Sequence, residues 1–246
     1  MEQTTYILPD GTSVGSWTDF GLRKTARTKI SPPKRKRNLC DVPGANGTPD
    51  LLRNFPAVYE ARSLTDMFAL PKRCRYWEQI KSEIYQKLNF SVCRIILDRD
   101  PWFYWEGPVE VTEISDGRDV LTLKVTATVF PYKYERYSSV EDWLWDPFDF
   151  QFGVIRGDLR NITVNSSATV TIQCLDLDVI PGFWTSSSGM GVSYNGVSAS
   201  LTQRSASENP KTYEQFGGII LPGGGNRVLT LTGSGTVDIQ YRGGIL

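Results

Sequence analysis

The sequence predicts a mainly β chain in two modules. Residues 1–135 read as an α+β, sandwich-like sheet module with one amphipathic helix and a β-hairpin, and residues 136–246 as an all-β sandwich or jelly roll. Three observations lead there. First, apolar and polar residues alternate with period 2, as where Leu121, Leu123, Val125, Ala127 and Val129 interleave with Thr122, Lys124, Thr126 and Thr128, the pattern of a half-buried strand. Second, one segment of the first half has a clear helical period, and the second half shows none. Third, composition shifts near residue 135: the chain before it is slightly basic, the chain after it slightly acidic, and Lys211 is the sole lysine beyond Lys133.

Each element follows from its local pattern. From Arg75 to Leu88, Trp77, Ile80, Ile84 and Leu88 recur at helical steps, while Glu78, Lys81, Glu83 and Lys87 take the other side, which predicts an amphipathic helix. A β-rich run from Phe90 to Leu97 meets turn chemistry at Asp98-Arg99-Asp100-Pro101, and Trp102 to Gly107 returns, so a hairpin is expected. Val109-Glu110-Val111 continues to a turn at Asp116-Gly117. In the second half, Phe148, Phe150, Phe152 and Val154 share one strand face, followed by short strands around 162–164, 169–172, 227–231 and 236–241. Turn-rich Ser/Gly/Asn segments separate them. Leu221-Pro222-Gly223-Gly224-Gly225-Asn226 lacks the Lys-Ser/Thr of a phosphate loop and precedes a strand, so it reads as a turn.

Composition removes whole classes of function. The chain has 246 residues, enough for a core without disulfides or a structural metal. Its 27 basic and 27 acidic side chains cancel, which removes the bulk electrostatic case for nucleic-acid binding or a polybasic membrane anchor. Histidine is absent, so histidine triads, histidine-ligated metals and histidine acid–base catalysis are excluded. Cys40, Cys74, Cys93 and Cys174 show no C-x-x-C spacing, and reduced thiols are expected. The opening Met1-Glu2-Gln3-Thr4 has no basic-then-apolar leader, and no apolar run could span a bilayer as a helix, so cytosolic synthesis and no membrane insertion are expected. No catalytic residue, metal or cofactor is predicted, and the expected partner is protein.

Four groups of residues remain as candidates. The stretch from Arg23 to Arg37, ending in Lys34-Arg35-Lys36-Arg37, holds no acid and could steer an acidic partner or grip phosphates; it could equally be a solvated loop or a protected edge strand. Trp102, Phe103, Tyr104 and Trp105 are consecutive, so on a strand they point to both faces: one pair belongs in the core, and the other lies under the helix or meets another subunit. Trp143 and Trp145, with the phenylalanines that follow, form a sugar-stacking stripe, or else sandwich core or an interdomain seal. The carboxylates Asp98, Asp100, Glu106 and Glu110 near the hairpin, and Asp176 and Asp178 on one expected strand face, are turn or solvent-facing acids rather than a glycosidase pair.

At residues 41–50, Asp-Val-Pro-Gly-Ala-Asn-Gly-Thr-Pro-Asp, the sequence begins to resemble the distal tail protein family of long non-contractile-tailed phages. Val58 to Leu64 is similar to the family's Y-E-x-R-x-L strand. The amphipathic helix follows, then Ile96 to Pro101 with the return Tyr104-Trp105-Glu106-Gly107, and Val129-Phe130-Pro131-Tyr132-Lys133-Tyr134 is similar to the family's P-Y-K-Y ending. Trp145 to Phe150 resembles the usual continuation. The matches run in order over about residues 41–134, whereas the basic, proline-containing stretch before Asp41 departs from the pattern.

The resemblance implies a ring-forming structural protein of the virion tail tip, with a galectin-like sandwich as its second module. Six copies would close around the DNA channel, joining tail tube protein and tape measure protein to a tail-associated hub protein, with receptor-binding protein outside. A carbohydrate-binding module acting through Trp143 and Trp145 is the alternative.

Overall fold

In a computed structural model, the described residues are 2–41, 43–44, 46–72, 76–142 and 157–246. Trp143, Trp145 and the Phe148/Phe150/Phe152 stripe lie outside them. Among the described residues the fold is mainly β, with one helix, and its contacts divide the chain into Met1–Lys133 and Tyr134–Leu246.

The first unit contains β1 (Thr4–Ile7), β2 (Ser13–Gly15), β3 (Arg23–Lys24), β4 (Lys29–Ile30), β5 (Arg62–Pro71), α1 (Trp77–Leu88), β6 (Val92–Leu97), β7 (Asp100–Asp116) and β8 (Val120–Val129). All pairings are antiparallel, in the order β2-β1-β6-β7-β8-β5-β3, with β4 beside β3 along the same edge of β5. Alternation decides which side is covered. Leu64, Phe68 and Leu70 of β5 and Leu121, Leu123, Val125, Ala127 and Val129 of β8 all enter one core, joined by Ile84 and Leu88 from the helix.

The sheet curls on itself. Thr4 Oγ1 of β1 donates to Asp66 Oδ2 of β5 at 2.9 Å, although β6, β7 and β8 intervene between those strands in the hydrogen-bonded order. Lys24 of β3 closes the same junction, with Nζ 3.6 Å from Asp66 Oδ1 and 3.4 Å from Glu2 Oε1. Asp66 has no exposed surface, so this lysine supplies the opposite charge a buried carboxylate requires.

The expected hairpin is present, but its return arm is longer than the motifs suggested: Trp102 to Asp116 is one continuous strand. A register shift between Glu113 and Ser115 lets it follow the curl of β8 without a break. Gly107 has a steric reason, since a Cβ there would lie 2.0 Å from the Thr128 carbonyl oxygen.

The second unit contains β9 (Lys133–Glu135, beginning at the boundary), β10 (Ile162–Cys174), β11 (Gly182–Trp184), β12 (Gly191–Tyr194), β13 (Val197–Ser200), β14 (Glu214–Gln215), β15 (Gly225–Gln240) and β16 (Gly244–Ile245). β15 is its spine. It pairs with β10 from Ile162↔Val237 to Cys174↔Gly225 on one side, and with β12 and then β11 on the other. Val164, Ile172, Leu229, Leu231, Val237 and Ile239 fill the core.

The expectation of separate short strands at 162–164 and 169–172, and at 227–231 and 236–241, is corrected: each pair is one long strand. Gly233 and Gly235, which read as turn signals, instead permit close approach. Cβ atoms there would meet the Gly189 carbonyl oxygen at 2.7 Å and Ser187 Oγ at 2.2 Å. Asp176 and Asp178 follow the end of β10 rather than sharing a strand face. They accept from the backbone N–H groups of Leu246 and Gly223.

Candidate functional site

Between β4 and β5 the chain leaves the curled sheet and returns as an arm, described over residues 31–41, 43–44 and 46–61. Its two limbs run antiparallel, bridged at Arg35↔Tyr59 and Leu39↔Asp50, with Lys36 N donating to Val58 O and Glu60 N to Lys34 O, both at 2.8 Å. Among the described residues of the arm, polar groups tie the two limbs together. Asp50 Oδ1 accepts from the backbone N–H groups of Asn38 and Leu52, each at 3.0 Å, and these bonds hold the carboxyl below the usual aspartate range.

The four basic residues singled out here separate by role. Arg35 Nη2 donates to the carbonyls of Leu52 at 3.0 Å and Phe55 at 3.1 Å, closing the returning limb onto the outgoing one. Lys34, Lys36 and Arg37 are exposed and form no ion pair among the described residues. Leu39, Leu51, Phe55 and Val58 are also exposed, Phe55 to 63%. An arm presenting apolar and cationic side chains without a cover of its own is the surface that motif reasoning missed. The signal was present as apolar residues without any period, among prolines and bases.

The consecutive aromatics on β7 lie mostly inside the chain. Phe103, Tyr104 and Trp105 are buried, and Trp102 is half-buried. Trp105 joins the core of the first unit. Each buried ring has a cation over it: Lys133 Nζ at 4.4 Å from Phe103, the Arg94 guanidinium at 5.2 Å from Tyr104, and that of Arg62 at 4.7 Å from Trp105. Lys133 also pairs with Asp100 at 2.6 Å, and Arg94 with Glu106 at 3.4 Å. Two of the acids near the hairpin are therefore spent on these cations, and Asp98 accepts from the backbone N–H of Gln3 at 2.6 Å.

A second exposed apolar group lies nearby. After α1 the chain turns through Phe90, whose φ of 60° places it in the left-handed region while its side chain is 77% exposed. Hydrogen bonds to β7 enforce that turn: between backbones, Phe90 N donates to Val109 O at 2.6 Å and Val109 N to Ser91 O at 2.9 Å, and Val111 N donates to the Asn89 side-chain Oδ1 at 3.0 Å. For a bulky residue the left-handed conformation costs about 1–2 kcal/mol.

Val92 pairs with Pro108 across β6 and β7, and both are exposed on the face opposite buried Cys93 and Val109. Phe130, 54% exposed, donates its N–H to Glu106 O at the same end of the sheet. Glu110 lies on that face, exposed, with no ion pair among the described residues.

In the second unit the prominent polar group surrounds Trp184. Its Nε1 donates to Glu208 Oε2 at 2.8 Å, and Lys211 Nζ sits 3.9 Å from the ring centre while pairing with buried Asp238 at 2.5 Å. With 5% of its surface exposed, this indole is covered by its own chain and offers no open stacking face. Among the described residues no group of three or more Cys, Asp or Glu is arranged to hold a metal ion, and no helix is long and apolar enough to cross a membrane.

Comparison with known proteins gives one kind of likeness. No protein-family model matches the sequence, and no curated protein matches it. The fold is similar to that of SPP1 Dit, whose crystal structure is described as a paradigm of the hub adsorption apparatus in phages infecting Gram-positive bacteria. The match covers 100% of this chain and 100% of that one, with a TM-score of 0.59 and 13% sequence identity. The motif-level resemblance to distal tail proteins over residues 41–134 thus has a counterpart in fold along the whole chain.

Proposed function

We propose that this chain is a structural virion protein of a long-tailed phage, closing a ring of six copies at the distal tail tip. The full-length likeness in fold to SPP1 Dit carries the reading. In it the ring connects tail tube protein and tape measure protein to the tail-associated hub protein and the host-adhesion apparatus, including receptor-binding protein. DNA passes through the channel without sequence-specific contact, and the ring itself breaks no bonds.

Physical chemistry supports a head-to-tail arrangement. A heterologous contact closes into a ring when its rotation is a simple fraction of a turn, and it needs two different surfaces on each copy. Among the described residues of the first unit, the arm and the group around Phe90 are two exposed apolar surfaces. An assembly contact of this kind must offset the loss of translational and rotational freedom, which calls for on the order of 1,000 Å² or more of buried surface.

Native mass spectrometry of the purified chain tests the reading. A six-copy species is expected at micromolar concentration, and a strictly monomeric chain there and above would overturn it.

A further inference from the structure

We propose that the arm of one copy, residues 31–61, docks on the face around Phe90 of the next copy, making the ring contact directional. The inference rests on the ring reading and adds the two surfaces that meet. The occupant is a second copy of this chain because the two surfaces complement each other. The arm offers exposed apolar Leu39, Leu51, Phe55 and Val58 together with the cations Lys34, Lys36 and Arg37, which form no ion pair among the described residues. The receiving face offers exposed Phe90, Val92, Pro108 and Phe130, with the carboxylate Glu110, which forms no ion pair among the described residues. Apolar groups flanked by opposite charges on the two sides give both attraction and register. Every chain carries one arm and one receiving face, so each copy gives and receives once, as a closed ring requires.

Phe90 supplies an independent reason to regard that face as a contact. The fold holds it in a left-handed turn that Asn or Gly would adopt at lower cost, and it leaves the phenyl ring in water. Two unfavourable features at one position in the free subunit are accounted for if the ring is an anchor buried on assembly.

The same assignment explains why the cations of this stretch are used differently. Arg35 is committed to shaping the arm through backbone carbonyls, whereas Lys34 and Lys36 are exposed and form no ion pair among the described residues.

The test measures association of wild type, Phe90→Asn, the double variant Lys34→Glu/Lys36→Glu, and that double variant combined with Glu110→Lys, by sedimentation and native mass spectrometry. Asn tolerates the left-handed turn, so Phe90→Asn keeps the subunit folded, as its circular dichroism will verify. Phe90→Asn and the charge-reversed arm are each expected to weaken association about tenfold or more, and Glu110→Lys is expected to recover much of the loss in the charge-reversed arm.

Rings formed equally well by Phe90→Asn and by the charge-reversed arm would overturn the arm-to-face contact while leaving the ring reading intact. A monomeric wild type would overturn both. Should the charge variants fail to fold, Val58→Cys/Val92→Cys on a Cys40→Ser background decides. A bismaleimide cross-linker should give a ladder of covalent oligomers, and bands no larger than those of the single-cysteine variants would overturn the contact.

Discussion

The curled sheet of the first unit and the arm that leaves it follow opposite rules. In the sheet, alternate residues of β5 and β8 vanish into a shared core, and the polar residues between them face away from it. In the arm, leucine, phenylalanine and valine stay exposed, and order comes from backbone bridges, one arginine on carbonyls and one aspartate on N–H groups. The difference teaches that the sheet is ordered by its own core, whereas the exposed apolar side chains of the arm contribute no packing to the described chain. Exposed apolar side chains on a polar scaffold lower no free energy until a second surface covers them.

That contrast can be broken at the sheet with the largest effect. Lys24→Ala would leave Asp66 buried without its cation, and removing one partner of such a pair costs about 3–5 kcal/mol. Chemical denaturation should show the loss as a lower midpoint; an unchanged midpoint would mean that the curl does not depend on this junction. A smaller and more local effect is expected in the arm. Arg35→Ala removes its bonds to Leu52 and Phe55 carbonyls, so amide exchange at Lys36, Asn38 and Leu51 should quicken by about tenfold while the global unfolding midpoint stays put. A global loss of stability would instead make the arm part of the folding core.

The smallest effect is in pH. The N–H groups of Asn38 and Leu52 hold the Asp50 carboxyl below its usual range. A folded value depressed below the unfolded one means that the carboxylate's stabilisation of the arm is present above the ordinary aspartate range and fades as pH falls through the lower folded value. Titration of Asp50 followed by NMR should therefore give a midpoint below that of an unstructured aspartate, and a midpoint at or above it would contradict the hydrogen-bonded arm.

What could be read from residues alone follows the same division. Helix α1, the β6–β7 hairpin and β8 were legible because burial imposes a period, 3.6 or 2, on Ile84 and Leu88 or on Leu121 to Val129. The merging of β10 and of β15 was not. Gly233 and Gly235 look like turns until the chain at Ser187–Met190 is seen pressing against them, a contact between distant residues that local pattern cannot encode.

The aromatic run at Trp102 to Trp105 is ambiguous in sequence for a related reason. Large aromatics favour interfaces and interiors alike, and which of these they enter depends on what covers them, here cations from Arg62, Arg94 and Lys133. Phe90 gave no local hint that its turn would be left-handed, since backbone bonds to β7 impose it. The stripe at Trp143 and Trp145 lies outside the described residues, and the carbohydrate-binding alternative rests on it.

The central claim is that copies of this chain meet head to tail and close. Negative-stain electron microscopy of the purified protein at micromolar concentration tests it most directly. Annular particles with six-fold symmetry and an open centre are the predicted result, and fields containing only isolated single chains would contradict it.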